Sequence, residues 1–89
     1  MQTAFMDCLA RAVRGLRAAG LDAEAEELEG LGFKTAWTSA SEMLGEIGLC
    51  ILRIEARGGP RVPEGAREAL EECMKAVRAV WPHIALAGC

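Results

Sequence analysis

The sequence predicts an all-α fold, a small antiparallel four-helix bundle that consists of a helical hairpin and two longer helices and is completed by dimerisation. Apolar residues make up 52% of the 89 residues but aromatic residues only 4%, so small and aliphatic side chains supply the apolar mass, which favours helices over a β-sandwich. The apolar side chains recur with a period near 3.6 residues, and glycine or proline follows most of these runs. One domain, 1–89, is all that a chain of this length can form.

The first two helices are predicted at about 3–19 and 22–30. One face of the first is apolar and the opposite face carries arginines, as in an amphipathic helix. Gly20 suits the left-handed position after a helix, and Asp22 is expected to cap the next one. A connection this short folds the helices back as a hairpin. The arginines of the first helix are then expected to face the glutamates of the second across a solvated seam.

The third helix is predicted at about 39–57 and begins with a stretch rich in hydroxyl groups. Ser39-Ala40-Ser41-Glu42 matches a capping box, in which the first serine accepts a backbone N–H bond and the glutamate reaches back. A nucleophilic serine would need a base, and His83 is the single histidine, with no neighbouring carboxylate in sequence to orient it. We therefore interpret these hydroxyl groups as a helix start, not as catalytic groups.

The third helix is apolar around nearly its whole circumference, apart from one narrow polar wedge and Glu55. Such a helix must be buried on nearly every side, and the other helices of so small a domain are not expected to cover it. We therefore predict a two-fold homodimer in which glycines allow close helix approach. The predicted interface comprises Leu44, Gly45, Gly48, Leu49, Leu52 and Ala56.

The fourth helix is predicted at about 63–81, with Pro63 at its first position, and an apolar tail follows at 82–89. Apolar side chains of the third and fourth helices could also enclose an apolar small molecule. The candidate pocket comprises Met43, Ile47, Cys50, Ile54, Met74 and Trp81.

The sequence predicts no metal or other cofactor. Ligands on one helix should stand three or four residues apart, and no Cys/His pair has that spacing. The four cysteines form no CxxC motif; Cys8, Cys50 and Cys73 fall on or beside apolar helical faces and are expected to be packed, reduced thiols. Cys89 is expected to be exposed at the chain end.

The net charge of −3 argues against a nucleic-acid partner, and the apolar runs are too short to span a membrane. The sequence favours a small, non-enzymatic cytoplasmic protein that associates with itself and with another protein. The alternative function is binding or sensing of an apolar small molecule between the helices.

Overall fold

A computed structural model describes residues 2–86, and in this part of the chain four α-helices and no strands are present, which confirms the predicted all-α fold. The helices are α1 (Gln2–Ala18), α2 (Asp22–Phe33), α3 (Ala40–Gly58) and α4 (Glu64–Val80), and a 3-10 turn at Gly59–Arg61 precedes α4. The ends of α1, α3 and α4 differ from the predicted ones by one residue, whereas α2 is three residues longer than predicted.

The four helices form a closed ring, and α4 runs antiparallel to both α1 and α3. Helix α1 packs against α2 and α4, and α3 packs against the same two helices. Cys8 of α1 meets Cys73 of α4, and Gly15, two turns later, meets Ala66, so these helices run in opposite directions. The core fills the centre of the ring.

The core is apolar throughout the described residues, because the apolar stripes of all four helices point inward. The predicted apolar face of α1 is buried except for the partly buried Met6. The largest fully buried side chains are Leu9, Leu16, Leu21, Leu28, Ile47, Ile51, Ile54, Leu70, Met74 and Val77.

The turn between α1 and α2 has the geometry of a Schellman motif. Gly20 has a φ of 82°, its N–H donates to the Arg17 carbonyl at 3.1 Å, and the Leu21 N–H donates to the Leu16 carbonyl at 2.9 Å. The prediction that Asp22 caps α2 is wrong, because Leu21 occupies the N-cap position and Asp22 is the first helical residue. The predicted seam contains one ion pair, in which Arg17 lies 3.1 Å from Glu29.

Helix α2 continues through both of its glycines, although the sequence predicts that it ends at the first. Gly32 lies under Leu9 of α1, where a Cβ would stand 2.3 Å from Leu9 Cδ2. Side chains of the following loop then bind the last carbonyl groups of α2: Thr35 Oγ1 donates to Gly30 O at 2.8 Å, and Trp37 Nε1 donates to Leu31 O at 2.7 Å. Packing and these bonds therefore outweigh the weak helix propensity of glycine.

Helices α3 and α4 both begin beside residues that the sequence marks as helix starts. Ser39 is the N-cap of α3, and its Oγ accepts a hydrogen bond from the Glu42 N–H at 3.3 Å, as predicted, whereas the predicted return bond to the Glu42 carboxylate is not formed. Pro63 is the N-cap of α4 and not its first helical residue, so the helix begins at Glu64, one residue later than predicted. Arg67 fastens the loop before α4 by donating to the Gly59 carbonyl at 2.7 Å.

Candidate association surface

The exposed large apolar side chains gather at one end of the bundle. Phe33, Val80 and Trp81 are 46%, 45% and 43% exposed, and they lie where α2 and α4 end and α1 and α3 begin. At the opposite end, Leu21 and Val62 are only 1% and 3% exposed. We call the end that carries Phe33, Val80 and Trp81 the open end, because these apolar side chains are only partly covered by other residues.

One groove at the open end follows the side of α3 that faces the end of α4, and we call it the Trp81 groove. Trp81 Nε1 donates to the Ser41 carbonyl oxygen at 2.7 Å, and the indole ring lies against Gly45, where a Cβ would stand 3.3 Å from Nε1. The groove has a volume of about 450 Å³. It is lined by Ser41, Glu42, Gly45, Glu46, Leu49, Trp81 and Ile84.

A second groove, the Phe5 groove, lies on the other side of Ser41 between α1, α3 and α4. Its volume is about 350 Å³ and its lining is almost entirely apolar. It is lined by Phe5, Ala40, Ser41, Met43, Leu44, Ala76, Ala79 and Val80. The two grooves and the exposed Val80 and Trp81 thus lie together at the open end.

The predicted dimer interface on α3 is partly covered by the chain itself. Gly48 is buried, since a Cβ on it would stand 2.6 Å from Val77 Cγ1 and 2.8 Å from Ile84 Cδ1. The close approaches at Gly45 and Gly48 are therefore made by α4 and the segment after it, and the expectation that they would admit a second chain is corrected.

The other predicted interface residues differ in their exposure. Leu44 and Leu52 are half-buried and pack against the core, Leu49 is half-buried in the Trp81 groove, and Ala56 is exposed. The expectation that this chain's own helices could not cover α3 is thus wrong for most of its arc. Part of the predicted tail, 82–86, supplies some of that cover through Ile84, whereas 87–89 and the predicted exposure of Cys89 lie outside the described residues.

The structure does not bring the candidate pocket residues together around one cavity. Ile47, Cys50, Ile54 and Met74 are at most 1% exposed and fill the core. Met43 lines the Phe5 groove and Trp81 lines the Trp81 groove. A pocket among all six would require the core to open.

Sequence reasoning missed Phe33 and Val80 as surface groups. The helical period predicts Val80 on the inner face of α4, but Val80 is the last residue of that helix, lies level with the first turn of α3 and is 45% exposed. Pro82, two positions later, was the available signal, because an apolar residue just before a helix-ending proline can extend beyond the core.

Polar groups in the described residues are engaged in structural contacts or exposed, with one exception. Ser39 caps α3, Ser41 Oγ bonds Ser39 Oγ at 2.9 Å, and His83 is exposed. Glu55 is the exception: its Oε2 is buried without a hydrogen-bond partner among residues 2–86. Burial, with the nearby Glu71 carboxyl group, raises the pKa of Glu55 to about 7.

The remaining chemistry of residues 2–86 offers little for a metal or a nucleophile. The described residues contain no cluster of three or more His, Cys, Asp or Glu side chains placed to hold a metal ion. Burial raises the pKa of Cys50 to about 12, so this thiol stays protonated at neutral pH.

Comparisons with known proteins add no relative: no family model, no curated protein and no solved structure matches the chain. Within residues 2–86, every helix is too short or too polar to cross a lipid bilayer.

Proposed function

We propose that this protein is a small non-enzymatic helical module that works by association, and that its first partner is a second copy of itself. The observation that carries the proposal is the concentration of Phe33, Val80 and Trp81 at one end of a bundle whose other end is closed. Exposed apolar patches of this kind mark interaction surfaces in soluble domains.

A second copy suits the open end because the surface carries charges of both signs around an apolar centre. Glu42 and Glu46 line the Trp81 groove, and Lys34, next to Phe33, has a side chain that is 68% exposed and lies 3.7 Å from Glu29 of its own chain. A two-fold axis through the apolar centre would set each copy's acidic rim near the other's basic one. Every contact occurs twice in such a dimer, so even a small apolar surface contributes twice to its stability.

We place this association in the cytoplasm, where thiols such as the buried Cys50 remain reduced. We propose that a different protein binds the same end of the bundle by placing an apolar helix in the Phe5 groove.

Native mass spectrometry under reducing conditions, over a series of micromolar concentrations, tests the proposal. We expect a dimer of the 9.5 kDa chain that increases with concentration. A chain that stays monomeric throughout the series would overturn self-association. A monomer that carries a stoichiometric extra mass would instead favour the alternative function, an apolar small molecule held in the Phe5 groove.

A further inference from the structure

Two buried thiols meet between α1 and α4. Cys8 Sγ lies 3.0 Å from Cys73 Sγ, both thiols are free, and the two residues are 3% and 0% exposed. Packed carbon atoms stand about 3.5–4.0 Å apart, and the shorter separation of the two sulfur atoms is that of an S–H···S hydrogen bond. Antiparallel packing of α1 and α4 thus aligns two cysteines that are far apart in sequence.

The separation of the sulfur atoms fits a covalent bond better than a shared metal ion. A disulfide S–S bond is about 2.05 Å long, so a pair at 3.0 Å must approach by only about 1 Å. Two sulfurs on a tetrahedral zinc ion with Zn–S of about 2.3 Å stand roughly 3.8 Å apart, which would push the packed helices away from each other. We propose that Cys8 and Cys73 form a reversible intramolecular disulfide that cross-links α1 to α4.

Cys8 is the sulfur that an oxidant reaches first. It borders a surface groove of about 330 Å³ that is lined by Ala4, Phe5, Cys8, Glu72, Lys75 and Ala76, whereas Cys73 lies behind it in the core. A small hydroperoxide in this groove oxidises the Cys8 thiol to a sulfenic acid and is itself reduced to an alcohol, or to water from hydrogen peroxide.

Cys73 then completes the reaction. Its sulfur attacks the sulfenic sulfur, the S–S bond forms as the S–O and S–H bonds break, and one water molecule leaves. In sum, two thiols lose two electrons to one hydroperoxide. Burial, followed by the neighbouring Cys8 thiol, raises the pKa of Cys73, so little Cys73 thiolate is present and its attack on the sulfenic sulfur is slow. The pair is therefore a cross-link that accumulates during sustained oxidation.

The cross-link should stabilise the bundle, because it joins positions 65 residues apart and restricts the unfolded chain. It does not depend on self-association. The cross-link lies one helical turn from the Phe5 groove. Phe5 and Ala76 line both the Phe5 groove and the groove beside Cys8, and the Phe5 carbonyl accepts a hydrogen bond from the Cys8 S–H at 3.2 Å.

The test is incubation of the whole chain with hydrogen peroxide, alkylation in denaturant and mapping by mass spectrometry after trypsin digestion. We expect a mass loss of about 2 Da and a cross-link between peptides 1–11 and 68–75, which contain Cys8 and Cys73. A thiol reductant should restore both free peptides. Cross-links to peptide 35–53, which holds Cys50, or to the C-terminal peptide instead would overturn the assignment.

A thermal measurement provides a second readout. The oxidised protein should melt roughly 5 °C or more above the reduced one. Cys50→Ala is the matched control, because it also removes a buried thiol but should leave this difference intact, whereas Cys73→Ala should abolish it. An equal melting temperature for oxidised and reduced wild-type protein, with the cross-link formed, would contradict a disulfide that fits the native geometry.

Discussion

Trp81 Nε1 donates a hydrogen bond to the carbonyl oxygen of Ser41 at 2.7 Å and so joins the end of α4 to the first turn of α3, 40 positions earlier in the chain. The indole ring can approach the α3 backbone because Gly45 has no side chain. This contact places the indole ring in the wall of the Trp81 groove, and Ser41, its partner, lines both grooves of the open end.

Replacement of Trp81 by phenylalanine should weaken the bundle without unfolding it. The substitution keeps an aromatic ring but removes the N–H donor, so we expect the free energy of unfolding to fall by about 1 kcal/mol. Urea denaturation followed by circular dichroism measures this. Val80→Ala is the control, since this exposed neighbour should change the stability by less than about 0.5 kcal/mol. Equal effects of the two substitutions would mean that the bond contributes nothing.

Gly48→Ala tests how tightly α4 and the segment after it pack on α3. The new Cβ would overlap with Val77 and Ile84, so we expect a loss of about 1–3 kcal/mol in the free energy of unfolding. Gly30→Ala is the matched control: a Cβ there meets nothing within 4 Å, and the better helix propensity of alanine should add about 0.5–1 kcal/mol. Two changes of the same sign would refute this packing.

Ser39→Ala tests the interpretation of the hydroxyl groups before α3. Loss of the N-cap bond to the Glu42 N–H should cost about 1 kcal/mol. Thr38→Ala, one position earlier, makes a suitable comparison because Thr38 is exposed and precedes the cap. Chemical denaturation of both variants checks this prediction. A larger loss of unfolding free energy for Thr38→Ala than for Ser39→Ala would contradict the assignment of Ser39 as the N-cap.

Glu55 should make the protein less stable as the pH rises. Its pKa is about 7 in the folded chain and near 4.5 when unfolded, so the folded state binds more protons between these values. The destabilisation by this group is therefore absent below about pH 4.5, grows between the two values and is complete above about pH 7.

Glu55→Gln, which is neutral at every pH, should accordingly raise the melting temperature at pH 8 and leave it nearly unchanged at pH 5. Differential scanning calorimetry at both values measures the effect. Glu68→Gln on the exposed side of α4 is the control for the loss of one carboxylate from the surface. A Glu55→Gln variant that melts lower than wild type at pH 8 would show that the ionised carboxylate stabilises the folded chain, contrary to this prediction.

The helices could be predicted from sequence because their signals are local. The 3.6-residue period placed the inward faces of α1 and α4, Gly20 marked the end of α1, and Ser39 marked the start of α3. The extension of α2 could not be predicted in this way, since it depends on Leu9 packing over Gly32 and on bonds from the loop that follows.

The candidate surface was harder to predict because exposure is a property of the assembled bundle. Leu49 and Leu52 looked uncovered on a helical wheel, yet the chain itself covers them in part. Val80 looked buried, yet it ends 45% exposed because no helix continues beside it. The Cys8–Cys73 contact was likewise invisible in the sequence, because it requires the antiparallel register of α1 and α4.

The most direct test of the proposed association is sedimentation velocity of wild type, Val80→Glu and Ala56→Glu under reducing conditions. Both substitutions add one charge at an exposed helical position, but Val80 lies at the open end and Ala56 near the far end of α3. We expect wild type and Ala56→Glu to dimerise at high micromolar concentration and Val80→Glu to remain monomeric. A monomeric wild type, or a dimer that Ala56→Glu disrupts and Val80→Glu does not, would contradict association through the open end.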